Sequence, residues 1–184
     1  MDKIDSNLKK KFSIAEKLFA ESKYQAAINK YKEILIDYPM LASAINNIGL
    51  SYECLNKYDE AIKFYKHSST IHPEEKIFIN NISNIYFKIK DYNNTIKEID
   101  KSLLIDNLQI KIIEIKASCL IKLHLTKEAN KYLNKYLLLF PKSIFLNTLY
   151  GKNLINLNQH KLGLQYLKKG TGFIELNENK VNII

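Results

Sequence analysis

The sequence has no arginine and no tryptophan, and among its 184 residues there are only two cysteines, three prolines, five glycines and four histidines. Each shortage excludes something. Cys54 and Cys119 lie far apart, with no CxxC and no histidine beside them, so neither a disulfide framework nor a zinc site is encoded. Two reduced, mostly buried thiols are expected. The scarcity of proline and glycine, set against 46% apolar and 26% charged residues, excludes collagen-like, disordered and loop-dominated chains. The longest apolar run near the middle, Tyr136 to Phe140, is far too short to span a bilayer. The opening MDKIDSNLKKKFSIAEKLF is charged throughout and has no apolar stretch of signal-peptide length, so a cytoplasmic location is expected. His67, His72, His124 and His160 show no metal-ligand spacing. The glycine cluster Gly170-Thr171-Gly172 follows a helical pattern instead of opening one, which makes it a helix stop and not a phosphate cradle. No catalytic, metal or cofactor site is read here, and the chain is expected not to be an enzyme.

With arginine absent, all 28 basic residues are lysine, and the net charge is +9 with an isoelectric point near 9.3. Such a balance is a footprint of nucleic-acid or anionic-surface binding. Here it comes with 27 isoleucines and 20 asparagines, a composition that follows from (A+T)-rich coding and supplies lysine without selection for phosphate. Nucleic-acid binding through a basic surface is therefore kept only as a second alternative, and no membrane partner is expected. The charge is uneven. Residues 42–75 hold three lysines and five acids, whereas residues 110–143 hold seven lysines and two acids. An acidic or amphipathic protein segment would be steered to the second stretch, less strongly as salt rises.

What the sequence does have is a period of 34 residues. Pro39 and Pro73 are one period apart, and Pro141 lies two further on with Asn107 between. The same step links Tyr24, Tyr58 and Tyr92, and also Tyr31 and Tyr65. Two columns of small residues run in phase: Ala15, Gly49, Ser83, Ala117, Gly151, and Ala27, Ala61, Thr95, Ala129, Gly163. Large apolar residues flank the first column, with Ile14, Ile48 and Ile82 just before it, and Leu18, Tyr52, Tyr86, Leu120 and Leu154 three residues after. Apolar spacing within a unit, as in Ile45, Ile48, Gly49 and Tyr52, is that of a helix with one buried stripe. A polar turn and a second amphipathic helix ending at the proline follow. Small residues on both helices let the axes approach, and large ones fill the grooves beside them. The pattern predicts helices at about 6–20, 24–37, 41–55, 58–71, 75–89, 92–105, 109–123, 126–139, 143–157 and 159–169.

On these residues the chain resembles the tetratricopeptide repeat family. The second repeat carries the family pattern nearly whole, as Ile45, Ile48, Gly49, Tyr52, Ala61, Tyr65 and Pro73. The first matches through Ile14, Ala15, Leu18, Ala27, Tyr31 and Pro39, and the fourth through Ala117, Leu120, Ala129, Leu133 and Pro141. The third departs at Thr95, Ile99 and Asn107, and the fifth keeps only Gly151, Leu154, Gly163 and Leu167. The resemblance implies an all-α, right-handed superhelix of five tandem helix-turn-helix repeats, about ten antiparallel helices, with a short apolar C-terminal tail. It places one repeat domain at residues 1–170, with repeats at about 8–41, 42–75, 76–109, 110–143 and 144–170, and a tail or cap at 171–184.

The resemblance further implies a non-catalytic interaction module that holds a peptide or extended partner segment against its first helices. The alternative is a module recruiting substrate to an enzyme in cis or in trans. Groove columns run Ser13, Asn47, Asn81, Ile115, Leu149 and Phe12, Asn46, Asn80, Glu114, Thr148. Asparagine amides both donate and accept, so they can satisfy an extended backbone without demanding a sequence. Asn46, Asn47, Asn80, Asn81, Asn84, Lys111 and Glu114 are the candidate groove residues. A chaperone-tail clamp is matched only at Asn81 and Lys111, with Asn46, Leu50 and Ile115 in its other places, so such a tail should bind no better than a scrambled peptide. The tail from Phe173 to Ile184 alternates apolar and polar residues. It reads either as two short strands covering the last repeat or as an interface with another domain or another chain, a homodimer among them.

Overall fold

The computed structural model describes the backbone of residues 2–172, 174–177 and 180–183, and the side chains of residues 6–172. The helices fall into two units, divided at Ile89 and Lys90 in the turn of the third repeat. The first holds α1 (Asp2–Ala20), α2 (Tyr24–Asp37), α3 (Ala42–Cys54), α4 (Tyr58–Ile71) and α5 (Lys76–Lys88). The second holds α6 (Tyr92–Ile105), α7 (Ile110–Lys122), α8 (Thr126–Leu139), α9 (Ile144–Asn156) and α10 (His160–Thr171). A two-stranded antiparallel hairpin follows α10: β1 (Ile174–Asn177) pairs with β2 (Lys180–Ile183), with Ile174 opposite Ile183. What those strands' side chains cover lies outside the described residues.

In the first unit, Ala15, Ala27, Ile28, Tyr31, Ile34, Ala44 and Ile48 form one buried cluster, and Ala61, Ile62, Tyr65, Phe78, Ile82 and Ile85 another. The small columns work by close approach. A Cβ on Gly49 would lie 2.6 Å from Cζ of Tyr65, whose side chain is fully buried. In the second unit the core runs from Ile113 and Ala117 through Ala129, Leu133 and Tyr136 to Leu146, Tyr150 and Leu154. There α9 and α10 meet glycine to glycine: a Cβ on Gly151 would stand 2.7 Å from the Gly163 carbonyl oxygen, and one on Gly163 would stand 2.8 Å from that of Gly151. Asn107, where three other repeats have proline, is compensated by Gln109. Its amide donates to the carbonyl oxygens of Ser102 and Asp106 at 3.2 and 2.8 Å and to the Ser102 hydroxyl at 2.9 Å.

A third column appears only in the structure. Ser22, Asn56, Lys90, His124 and Asn158, one period apart, all have positive φ, between 56° and 64°. The backbone around them closes each first helix: the His124 and Leu125 N–H groups donate to Ile121 and Leu120 at 3.0 and 2.9 Å, and Asn56 and Lys57 do the same to Glu53 and Tyr52. This left-handed helix ending normally takes glycine, yet none of the five is one. Gly172 ends α10 in the same conformation, with φ 72°.

Two expectations need correction. Ile14 is 45% exposed, whereas Ile48 and Ile82 are buried. No described hairpin packs on that side of α1, so the position has no partner surface. Cys54 is exposed, while Cys119 is fully buried. Cys54 is the last residue of α3, where the helix surface turns away from the core.

Candidate functional site

The first helix of each hairpin carries the predicted groove residues. In the first unit α3 presents Asn46 and Asn47, and α5 presents Asn80, Asn81 and Asn84; all are half-buried except the exposed Asn84. The Asn81 Nδ2 donates to Asn46 Oδ1 at 2.9 Å, a rung between α3 and α5. The Asn47 Nδ2 donates to the Tyr31 hydroxyl at 3.1 Å. The Asn47 and Asn81 amides are thus each held by a bond to a neighbouring helix, and the Asn46 side-chain oxygen is used in the rung. The Tyr65 hydroxyl, near Asn81, is buried with no partner in hydrogen-bonding geometry. Burial, with Glu53 and Cys54 adding to it, pushes that phenol well above its ordinary pKa. Burial likewise raises Glu53, which Lys88 partly offsets. At the start of α1 and α3, Leu8, Lys9, Phe12, Glu16, Leu41 and Ser43 line a cleft of about 290 Å³.

In the second unit the equivalent place between α7 and α9 is larger, about 720 Å³. Stepping three periods from the first cleft maps Leu8 to Ile110, Lys9 to Lys111, Phe12 to Glu114, Leu41 to Ser143 and Ser43 to Phe145, and all five line the second. Leu139, Phe140, Pro141, Lys142, Ile144 and Thr148 complete it. Glu114 sits in its wall with a side chain only 11% exposed, accepting from Ser143 Oγ at 3.2 Å and paired with Lys111 Nζ at 3.2 Å. The turn under the cleft is fixed. Ser143 Oγ caps α9 by accepting from the Leu146 N–H at 3.2 Å, and the Asn147 amide donates to the carbonyl oxygens of Pro141 and Ser143 at 2.9 and 2.8 Å.

Sequence reasoning found Glu114 and Thr148 through the columns and Lys111 through the clamp comparison, but not Leu139, Ser143, Ile144 or Phe145. Large apolar residues beside a turn read as packing, and only their exposure (53% for Leu139, 68% for Ile144 and 45% for Phe145) marks them otherwise. Among the described residues no group of three metal-ligating side chains converges, and no helix is long and apolar enough to cross a membrane.

Residues 42–75 match the family model of the tetratricopeptide repeat. The fold is similar to that of MamA, with a TM-score of 0.76 at 14% identity over 90% of each chain. It is also similar to a MamA from Desulfovibrio magneticus RS-1, at 0.76 and 13% identity over 90% of this chain and 93% of that one. Residues 42–75 thus carry one tetratricopeptide repeat, within a fold like that of solved tetratricopeptide-repeat proteins. YrrB, described as a TPR protein with an unusual peptide-binding site, superposes with a TM-score of 0.70 at 14% identity, covering 88% of this chain and 84% of YrrB. These likenesses are of fold, since identity is low throughout. No curated protein matches the sequence.

Proposed function

We propose that this tetratricopeptide-repeat chain is a non-catalytic, cytoplasmic scaffold that holds an extended segment of a partner protein on the faces of its first helices. Residues 1–170 carry the binding, and residues 171–184 serve as the tail or cap. The reading rests on one observation: a cleft recurs at equivalent positions in both units, each time between two consecutive first helices and each time lined by residues of the predicted groove columns. Concave, mostly apolar sites with a few placed polar groups are where proteins take ligands. In the first unit the Asn46–Asn81 rung adds fixed amides that suit an extended backbone.

The test is capture from the source lysate with nuclease present, comparing wild type with the Asn47→Ala/Asn81→Ala/Lys111→Ala variant, followed by direct titration of the captured protein. A defined protein that binds wild type and is lost by the variant supports the reading. Capture that disappears with nuclease, or that the variant retains unchanged, overturns it.

A further inference from the structure

We infer that the α7–α9 cleft takes an aromatic side chain bearing a hydrogen-bond donor, tyrosine or tryptophan, from an acidic segment of a partner protein. The inference rests on the protein-binding reading and adds the chemistry of the bound segment. Size comes first. At about 720 Å³ the cleft has room for one large side chain and its flanking backbone, whereas the first unit's counterpart, at about 290 Å³, does not. Its mouth is apolar, formed by Leu139, Ile144 and Phe145, which all stand substantially in water. Large apolar residues converging on a concavity suit an inserted side chain, where a bilayer would call for protrusions.

The polar groups narrow the choice of guest. The Glu114 carboxylate offers about four lone-pair positions, of which Ser143 and Lys111 use two. A purely hydrocarbon guest would expel water and leave the rest unmet, a desolvation cost that an indole N–H or phenol O–H removes. Around the rim stand Lys111, with a side chain 85% exposed, and the exposed Lys142. Among the described residues Glu114 is the one acid lining the cleft, and Lys111 already neutralises it. The surrounding repeat, residues 110–143, carries seven lysines against two acids. Acidic flanks are therefore attracted and basic ones repelled. The turn locked by Ser143 and Asn147 keeps the mouth formed before anything binds, which lowers the ordering cost.

Because the protein has no tryptophan, a peptide's indole reports binding without background. The probe is a short synthetic peptide with one tryptophan between glutamates, titrated with the full chain at low salt. The expected result is a saturable blue shift that weakens as salt rises. Replacing the glutamates by glutamine, or testing Lys111→Glu/Lys142→Glu protein, should each weaken binding by about tenfold or more. Ile144→Glu, a change at an exposed position, should abolish the shift with circular dichroism unchanged. A phenylalanine version used as competitor should be weaker than the tryptophan peptide. No shift at low salt, equal binding of the glutamine peptide, or a shift that survives Ile144→Glu overturns the inference. So does binding to phosphatidylserine vesicles with no response to the peptide. A captured partner that is lost with Asn47→Ala/Asn81→Ala but indifferent to Ile144→Glu would refute the cleft's role while leaving the protein-binding reading standing.

Discussion

The column of left-handed residues makes a directional prediction about stability. His124 sits at φ 57° in the turn between α7 and α8. Its side chain is exposed, and its structural contributions are backbone ones: its N–H donates to Ile121, and its carbonyl accepts from the Thr126 hydroxyl at 3.2 Å. Glycine keeps both. An L-residue in this region carries a Cβ penalty of about 1–2 kcal/mol, least for residues such as histidine and asparagine that visit it more readily. Glycine removes that penalty but gives the unfolded chain about 0.4–1 kcal/mol of extra conformational freedom. His124→Gly should therefore stabilise by about 0.5–1 kcal/mol, or roughly 1–4 °C in Tm for a chain of this size. His124→Val should destabilise by at least about 1 kcal/mol, because a branched Cβ crowds the same carbonyl. Asn56→Gly, from a residue already tolerant of the conformation, should change little. Urea unfolding of the four proteins checks this order, read from midpoints at unchanged slope so that the unfolded state is not the variable. A less stable His124→Gly, or a His124→Val as stable as wild type, would refute the reasoning.

Gly49→Ala should cost about 1–3 kcal/mol by overpacking, since the new methyl meets the buried Tyr65 ring, and urea melts would read the loss. Tyr65→Phe should be neutral or slightly stabilising because its hydroxyl is unpartnered, whereas Tyr31→Phe should lose about 1 kcal/mol by stranding the Asn47 amide; equal effects in the two melts would contradict the geometry. A thiol reagent should modify only Cys54 in the native protein, and Cys119 only after denaturation. Burial pushes the Cys119 thiol up to about 11 from an ordinary 9.0. Between those values the folded state holds a proton that the unfolded state has released, so this group's contribution falls as pH rises through the window. Cys119→Ala should remove that part of the alkaline loss, seen as a shrinking stability difference from wild type across the same range.

The hairpins were legible because their cause is periodic. Paired small residues such as Ala117 and Ala129, with large neighbours such as Leu120 and Leu133, state where two helices touch, and the helices lie where that pattern puts them, within a few residues at their ends. The turn column was not legible. Its five members, Ser22, Asn56, Lys90, His124 and Asn158, share a backbone conformation without sharing a residue type, so no composition cue marks it. The groove columns gave positions but not partners. That Asn81 would donate to Asn46 and Asn47 to Tyr31 depends on side-chain reach across helices, which spacing along the chain does not encode.

The cleft lies furthest from what a sequence can say, because it is a space left unfilled. In the second unit Ile144 and Phe145 occur at positions where the second repeat has Ala42 and Ser43, and the bulk that might have filled a core stands in water instead. Packing alone does not account for this. Burying such side chains against the protein itself would contribute roughly 1.5–3 kcal/mol each, and the turn beneath them is held too firmly by Ser143 and Asn147 to let them fold inward. An exposed apolar mouth on a rigid frame, with one half-satisfied carboxylate inside and two lysines outside, has its energetic return only when something covers it. The groups around it specify an acidic segment with a large side chain that is apolar along its length and a donor at its tip.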